Sequence, residues 1–259
     1  MGAESLFSYA TLFGFLFAFA RISAVFAFLP FAVFRAAPES ARIVLSLAMT
    51  LMLHGDWKSP VGVEASIGRI VAGLAGEAAL GLAIGVSLAI VIEVFKMAAQ
   101  AVSLPAGLAY ASTVDPTSGA DSTVLLTIAE LTAGLLFFVS GADRLLIEAL
   151  AESLRLCPPE SFTLNKSWAL AIIQFAGSIF STGLRLAAPV IALLLLGDAS
   201  LAVLGRMQPH LHLISLTMPV KLAGTMLIMS ATVVLQPGLF ESLMTSWVRL
   251  IEGILRSGH

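Results

Sequence analysis

The stretch that decides the fold is IGRIVAGLAGEAALGLAIGVSLAIVIEV, which runs from Ile67 to Val94. Apart from Arg69, Glu77 and Glu93, nearly all of its side chains are apolar or absent. A helix that crosses the hydrocarbon core of a bilayer needs about 20 mostly apolar residues. This stretch exceeds that length, so it predicts a membrane-spanning helix.

The composition of the whole chain agrees with this prediction. Of the 259 residues, 58% are hydrophobic and 12% are charged, against about 25% charged in an average soluble domain. The mean hydropathy is +0.98. A soluble protein of this size needs a more polar surface, so the sequence predicts an all-α, polytopic membrane protein. The net charge of −2 gives no basic bias and favours no nucleic-acid partner.

Six segments are apolar enough to form membrane helices. They are Leu6–Leu29, Ala41–Leu53, Ile67–Val94, Val124–Val139, Trp168–Leu196 and Met218–Leu235. The second and fourth are shorter than a lone span requires, which favours helical hairpins inside a protein complex. The first exceeds the apolar core of a signal peptide, about 7–15 residues, and Glu4 precedes it where a basic cluster would stand. We therefore expect it to be the first membrane helix.

The connections between these segments indicate how the chain is divided. Residues 157–167, CPPESFTLNKS, are polar and contain two prolines, which is typical of a linker. They would separate a helical part at 1–156 from a hairpin at 168–236, and residues 237–259 form an amphipathic tail. Lys and Arg occur in nearly every loop, so the sequence predicts no membrane orientation.

Charged residues interrupt the apolar segments. A charge at mid-bilayer costs at least about 2.5–3.5 kcal/mol, so Glu77, Glu130 and Arg185 are expected to face protein and form pairs between helices or subunits. For Arg21 and Glu93, burial near a helix end is the alternative. Gly81 and Gly85 form a GxxxG pair, a spacing that lets two membrane helices approach closely.

The sequence lacks the motifs of the common catalytic centres. It contains no HExxH, no GxxxxGK[ST], no GxSxG and a single cysteine, Cys157. His210 and His212 have no third metal ligand near them in the sequence. The sequence therefore predicts neither an enzyme nor a bound metal or cofactor.

Two stretches carry a family resemblance. The first, Glu77–Gly119, ends in the pattern Gly107-Leu108-x-x-Ala111-x-x-x-Asp115-Pro116-x-x-Gly119. The second, Ala188–Lys221, contains Ala188-Pro189, Arg206 and Pro219-x-Lys221, and Arg21, Pro30, Pro38 and Arg42 surround a hairpin at the front of the chain. In this order they resemble the FliR family of flagellar biosynthesis proteins, which includes the equivalent subunits of virulence-associated type III secretion systems.

The resemblance implies a subunit of the export gate in the bacterial inner membrane, at the flagellar basal body. The expected partners are FliP-like and FliQ-like membrane subunits, with an FlhB-like subunit alongside, and the expected cargo is unfolded export substrates. The implied architecture is a FliP-like part followed by a FliQ-like hairpin. No cofactor is implied.

The resemblance also assigns candidate site residues. A loop that plugs the pore corresponds to Gly107, Leu108, Ala109, Tyr110, Ala111, Ser112, Val114, Asp115, Pro116 and Gly119; the alternative is an ordinary connection between helices. Charges that pair helices or subunits correspond to Arg21, Glu77, Glu130, Arg185, Arg206 and Lys221. The chain departs from the family in the turn after Arg206, where His210 and His212 replace amides.

Two other functions remain open on the residues alone. Glu77, Glu130 and Arg185 could form the site of a small-solute or proton-coupled secondary transporter, although the halves show no convincing inverted repeat. The chain could also be an assembly scaffold that does not line a pore.

Overall fold

The structure, a computed structural model, describes residues 9–29, 38–55, 67–107, 124–159, 166–207 and 213–257. All regular secondary structure in these ranges is α-helical, which confirms the all-α class. The helices are α1 (Tyr9–Ala27), α2 (Glu39–Met52), α3 (Ile67–Ser103), α4 (Val124–Val139), α5 (Ala142–Leu156), α6 (Lys166–Met207), α7 (Leu213–Val233) and α8 (Gln236–Ser257).

Two of these helices are long and apolar enough to cross a membrane. The helical segments Ile67–Ser103 and Ser167–Met207 contain windows of mean hydropathy 2.4 and 2.1. The pairs α4–α5 and α7–α8 pass the same test if each pair is one broken span, which gives up to four spans. The polytopic membrane character is therefore confirmed. The most apolar window of α3 is 61% buried by the chain itself but that of α6 only 17%, so α6 depends on lipid or other proteins for its covering.

Helices α3 and α6 are longer than the apolar segments that predicted them. Helix α3 continues past Val94 to Ser103; within it Lys96 donates from Nζ to a carboxylate oxygen of Glu93 at 2.9 Å, a spacing of three residues that places both charges on one helix face. Helix α6 runs through Pro189 to Met207; membrane helices tolerate such interior prolines because neighbouring groups satisfy the freed carbonyl.

Helix α5 corresponds to none of the six predicted segments. Its sequence, ADRLLIEALAESLRL, is amphipathic rather than continuously apolar. Leu146, Leu150 and Leu154 recur every four residues and are buried, which is the stripe expected where one face of a helix packs on a core.

The chain forms two compact units. Unit 1 comprises Met1–Val91, Phe137–Ala176 and Leu243–His259, and unit 2 comprises Ile92–Leu136 and Gly177–Ser242. Each unit is assembled from separate stretches of the sequence.

Close helix packing at the predicted GxxxG pair organises unit 1. A Cβ atom added at Gly81 would collide with the carbonyl oxygen of Arg21, and one added at Gly85 would lie 2.9 Å from the carbonyl oxygen of Val25. The absence of side chains at these positions therefore lets α1 lie directly on α3. On another side of α3, Trp247 of α8 donates from Nε1 to Ser87 Oγ at 2.9 Å, and both residues are fully buried.

Unit 2 shows a comparable close approach. A Cβ atom at Gly183 of α6 would lie 3.2 Å from the carbonyl oxygen of Val94 in α3. Phe95 and Phe240 contact each other with ring centroids 6.0 Å apart.

Replacing Gly81 by alanine is expected to destabilise the purified chain in detergent, because the backbone carbonyl of Arg21 cannot rotate away from the new methyl group. Overpacking of this kind costs about 1–3 kcal/mol. Gly177→Ala is the matched control, since an added Cβ there meets no atom of the described residues within 4 Å beyond its own helix. Thermal unfolding followed by circular dichroism measures both variants. Equal melting temperatures for the two would contradict the close approach of α1 to α3.

Candidate functional site

The charge singled out in the first helix, Arg21, lies at the centre of unit 1. Its side chain and that of Glu77 are 0% and 1% exposed. Both Nε and Nη2 of Arg21 lie 2.6 Å from the same carboxylate oxygen of Glu77. Two unlike charges buried together in this way compensate each other's loss of hydration.

The remaining donors of Arg21 are used by the end of helix α5. Nη1 donates to the carbonyl oxygen of Ser153 at 2.7 Å and to its Oγ at 3.3 Å, and Nη2 donates to the carbonyl oxygen of Cys157 at 2.8 Å. The carbonyl oxygen of Ser153 also accepts from the amide of Cys157 at 3.0 Å, and a cation at the C-terminal end of a helix favours the helix dipole. Arg21 therefore joins α1, α3 and the C-terminal end of α5. We call Arg21, Glu77, Ser153 and Cys157 the Arg21 cluster.

The thiol of the cluster is well enclosed. Cys157 is fully buried, and its Sγ lies 3.6 Å from the carbonyl oxygen of Leu255 in α8. Burial raises the pKa of the Cys157 thiol; the positive charge of Arg21 opposes this rise and the carboxylate of Glu77 adds to it. Because the thiolate is the reactive form, the only cysteine of the chain is expected to react slowly while the cluster is intact.

The chemistry of the Arg21 cluster favours a structural role. The guanidinium hydrogen-bonds to the carboxylate of Glu77 and to backbone carbonyls, and neither charged side chain reaches the surface of the chain. A transport site must exchange its proton or solute with water. The burial of Glu77 thus removes one of the three groups that the small-solute transporter would use.

A second group of charges lies in unit 2, at the start of the predicted plug loop. Lys221 of α7 forms an ion pair with Asp198 of α6 at 2.5 Å, and its Nζ lies 3.5 Å from the carbonyl oxygen of Pro105. Pro105 belongs to the turn that follows α3. We call Lys221, Asp198 and Pro105 the Lys221 cluster.

Helix α3 ends at the predicted hinge. The amide of Ala106 donates to the carbonyl oxygen of Val102, and that of Gly107 to Leu104, each at 3.1 Å. Gly107 has φ +80°, a left-handed conformation that glycine adopts without strain and that commonly terminates helices. The other predicted plug residues lie outside the described residues: Leu108, Ala109, Tyr110, Ala111, Ser112, Val114, Asp115, Pro116 and Gly119. So do His210 and His212.

The remaining predicted charges occupy different environments in unit 2. Glu130 of α4 is half-buried, whereas Arg185 and Arg206 of α6 are exposed. Arg206 lies in the last turn of α6, where a positive charge suits the helix dipole. Within the described ranges, no acidic side chain pairs with Arg185.

Comparison of the sequence with known proteins identifies the family. Residues 12–247 match the model of the family described as bacterial export proteins, family 1. The chain belongs to this family.

The relatives include proteins named FliR and a protein named SpaR. The chain is 27% identical to the flagellar biosynthetic protein FliR of Pectobacterium carotovorum subsp. carotovorum, over 93% of this chain and 92% of the relative. It is 30% identical to FliR of Escherichia coli (strain K12), over 68% and 67%. It is 27% identical to the surface presentation of antigens protein SpaR of Salmonella typhimurium (strain LT2), over 82% and 79%. The resemblance to the FliR family is confirmed, and the chain is a membrane-embedded component of a type III export apparatus.

Several groups of this export protein were not identified from the sequence. Ser153 and Cys157 take part in the Arg21 cluster mainly through backbone carbonyls, which no sequence pattern reveals. Asp198 did leave a signal: it and Lys221 lie at similar distances on either side of residues 208–212, which separate α6 from α7 in the sequence. Residues placed in this way face each other in an antiparallel helical hairpin, so the pairing could have been predicted.

Replacing Glu77 by alanine is expected to reduce the free energy of unfolding of this export protein by about 3–5 kcal/mol, because it leaves the Arg21 charge buried without its partner. The same variant is expected to speed the alkylation of Cys157 by a maleimide, since the cluster encloses that thiol. The double variant Arg21→Met/Glu77→Leu removes both charges and should recover much of the stability.

Glu252→Ala is the matched control for this series, because Glu252 is an exposed carboxylate of unit 1. It is expected to change neither the unfolding curve nor the alkylation rate. Alkylation of Cys157 at an unchanged rate in a destabilised Glu77→Ala protein would contradict the enclosure of the thiol by the cluster.

Proposed function

We propose that this chain is a subunit of the export gate in the bacterial inner membrane, where it forms part of the conduit for unfolded substrates and supplies a loop that plugs it. The observation that carries the proposal is the position of Arg185. It is exposed within Ser167–Met207, a segment apolar enough to span the membrane and with only 17% of its most apolar window buried by the chain.

An exposed arginine in such a helix restricts what can cover it. The apolar neighbours on α6, Leu184 and Leu193, are each 50% exposed and could face lipid. The guanidinium could not, because a charge at mid-bilayer costs at least about 2.5–3.5 kcal/mol. A polar group of another subunit, or the water of a conduit, removes that cost. The partners that suit this surface are FliP-like and FliQ-like subunits, with an FlhB-like subunit alongside.

The Lys221 cluster supports the plug part of the proposal. The ion pair between Lys221 and Asp198 lies beside Pro105, two residues before the hinge at Gly107. It thus fixes the base of the loop to the hairpin of α6 and α7. The loop itself is rich in small and hydroxyl-bearing residues. Such residues can pack closely enough to block the passage of ions, yet separate when a polypeptide passes. The glycines at its two ends provide the necessary backbone freedom.

Affinity purification of the full-length chain in mild detergent, with mass spectrometry of what accompanies it, tests the assembly. We expect FliP-like and FliQ-like membrane proteins in the wild-type sample and several-fold less of them with Arg185→Ala. Leu184→Ala is the matched control, since it changes a neighbour that is also exposed without removing a charge. A chain purified alone, or an Arg185→Ala sample that retains its partners in full, would contradict the proposal.

Deleting Tyr110–Ser118 is expected to make cells leak ions or small solutes while the complex still assembles, because the plug is removed and the helices are not. Lys221→Ala is expected to give a weaker leak, since it frees only the base of the loop. The exchange Asp198→Lys/Lys221→Asp keeps an ion pair between α6 and α7 and is the control for loss of that pair. Ion flux into membrane vesicles measures all three. An intact complex whose deletion variant does not leak would contradict the plug.

A further inference from the structure

Unit 2 contains an apolar cavity that neither the plug nor the charged groups use. Its volume is about 200 Å³, and it lies among α3, α4, α6 and α7. Its walls include Phe95, Ala98, Val102, Ala129, Ala187 and Met226. A cavity of about 150 Å³ with comparable walls stays dry and holds a benzene molecule. The unit 2 cavity is therefore large enough for a segment of hydrocarbon chain.

The polar groups that line the cavity differ in whether their hydrogen-bonding capacity is satisfied. The hydroxyls of Thr132, Ser230 and Thr232 each donate to a carbonyl oxygen of their own helix at 2.7–2.8 Å. Gln236 is different: the residue is 9% exposed, and its Oε1 is buried with no hydrogen-bond partner in the part of the chain that the structure describes. An acceptor buried in this way costs about 1–3 kcal/mol. The cavity thus lacks a hydrogen-bond donor beside Gln236.

The position of Gln236 indicates the depth at which a donor would be found. The sequence from Leu222 to Val233 in α7 carries no charged residue, whereas α8 begins at Gln236 and carries Glu241, Arg249, Glu252 and Arg256. Such a change from an apolar to a charged, amphipathic helix is typical of the boundary between hydrocarbon and headgroups. Two of the helices that line the cavity, α3 and α6, are candidate spans. One end of the cavity is therefore apolar, and the change to an amphipathic helix favours headgroup level for the end at Gln236.

We propose that the unit 2 cavity binds one acyl chain of a membrane phospholipid, whose headgroup donates a hydrogen bond to Oε1 of Gln236. The residues that line the cavity include no Asp, Glu, Lys or Arg, so the site selects for an N–H or O–H donor and not for net charge. The ammonium of phosphatidylethanolamine satisfies this requirement. The quaternary ammonium of phosphatidylcholine has the same charge but no N–H to donate. This proposal does not depend on the role of the chain in the export gate.

These two lipids, with identical acyl chains, provide a direct test by native mass spectrometry of the delipidated full-length chain. One hydrogen bond to a buried neutral acceptor predicts that wild type retains phosphatidylethanolamine roughly threefold to tenfold better than phosphatidylcholine. Gln236→Leu is expected to retain both lipids equally. Equal retention by wild type, or a preference that survives in Gln236→Leu, would overturn the proposal.

Filling the cavity tests the place of the acyl chain. Ala129→Phe and the smaller change Ala98→Leu are expected to reduce retention of both lipids, whereas Ala202→Phe, on an exposed position of α6 outside the cavity, is not. Circular dichroism shows whether each of the two cavity-filling variants has folded. If one has not folded, lipid retention by the other is the test. Unchanged retention in a folded filled variant would overturn the proposal.

A third measurement distinguishes lipid from a protein side chain. Because Cys157 is buried, Ile128→Cys, at a residue that lines the cavity and is 43% exposed, introduces an accessible thiol on this chain for a photoactivatable cross-linker in native membranes. Adducts with lipid support the proposal. Cross-links from this position to another polypeptide, without lipid adducts, would show that a partner side chain occupies the cavity and would overturn it.

Discussion

The Arg21 guanidinium is the contact on which the rest of unit 1 depends. It reaches the carboxylate of Glu77 on α3 and the final carbonyls of α5, including that of Cys157. A lone buried charge is strongly destabilising, so these helices can only be placed where all of these groups meet. The glycine face of α3 makes the meeting possible, because Gly81 lets the backbone at Arg21 lie against it. Electrostatics and close packing therefore specify the same arrangement.

Unit 2 is organised differently, and the difference suits an export component. Helix α6 leaves most of its most apolar window uncovered and exposes Arg185, whereas the base of the predicted plug is held by the Lys221 cluster. A unit that is incomplete by itself fits a subunit that acts within an assembly. Relatives named FliR and SpaR both align with most of this chain.

Much of the fold could be predicted from the sequence because continuous apolar runs determine membrane helices. The bounds of α4 were predicted without error, and those of α1 and α2 within a few residues. Helices α3 and α6 were predicted too short, since the apolar runs end before Lys96 and Asp198 whereas the helices continue through these charged residues. Helix α5 was missed because its stripe of leucines acquires meaning only against a core.

The charged residues of the candidate site could be predicted from the sequence. The contacts that these residues make could not. The cost of a charge in an apolar segment identified Arg21 and Glu77, yet which partner each takes depends on how the helices pack. The backbone acceptors at Ser153 and Cys157 carry no sequence signal at all. Asp198 is the exception, since it lies about as far before the end of α6 as Lys221 lies after the start of α7.

Photo-cross-linking from Ser181 of α6 in living cells tests the central claim most directly. This residue is exposed and lies one turn before Arg185 on the same helix face, so a benzoylphenylalanine placed there samples whatever covers the exposed arginine. We predict cross-links to small membrane proteins of the export apparatus, lost when those proteins are absent. Cross-links to lipid alone, in cells where export is active, would show that this face of α6 meets the bilayer and would contradict an assembled gate.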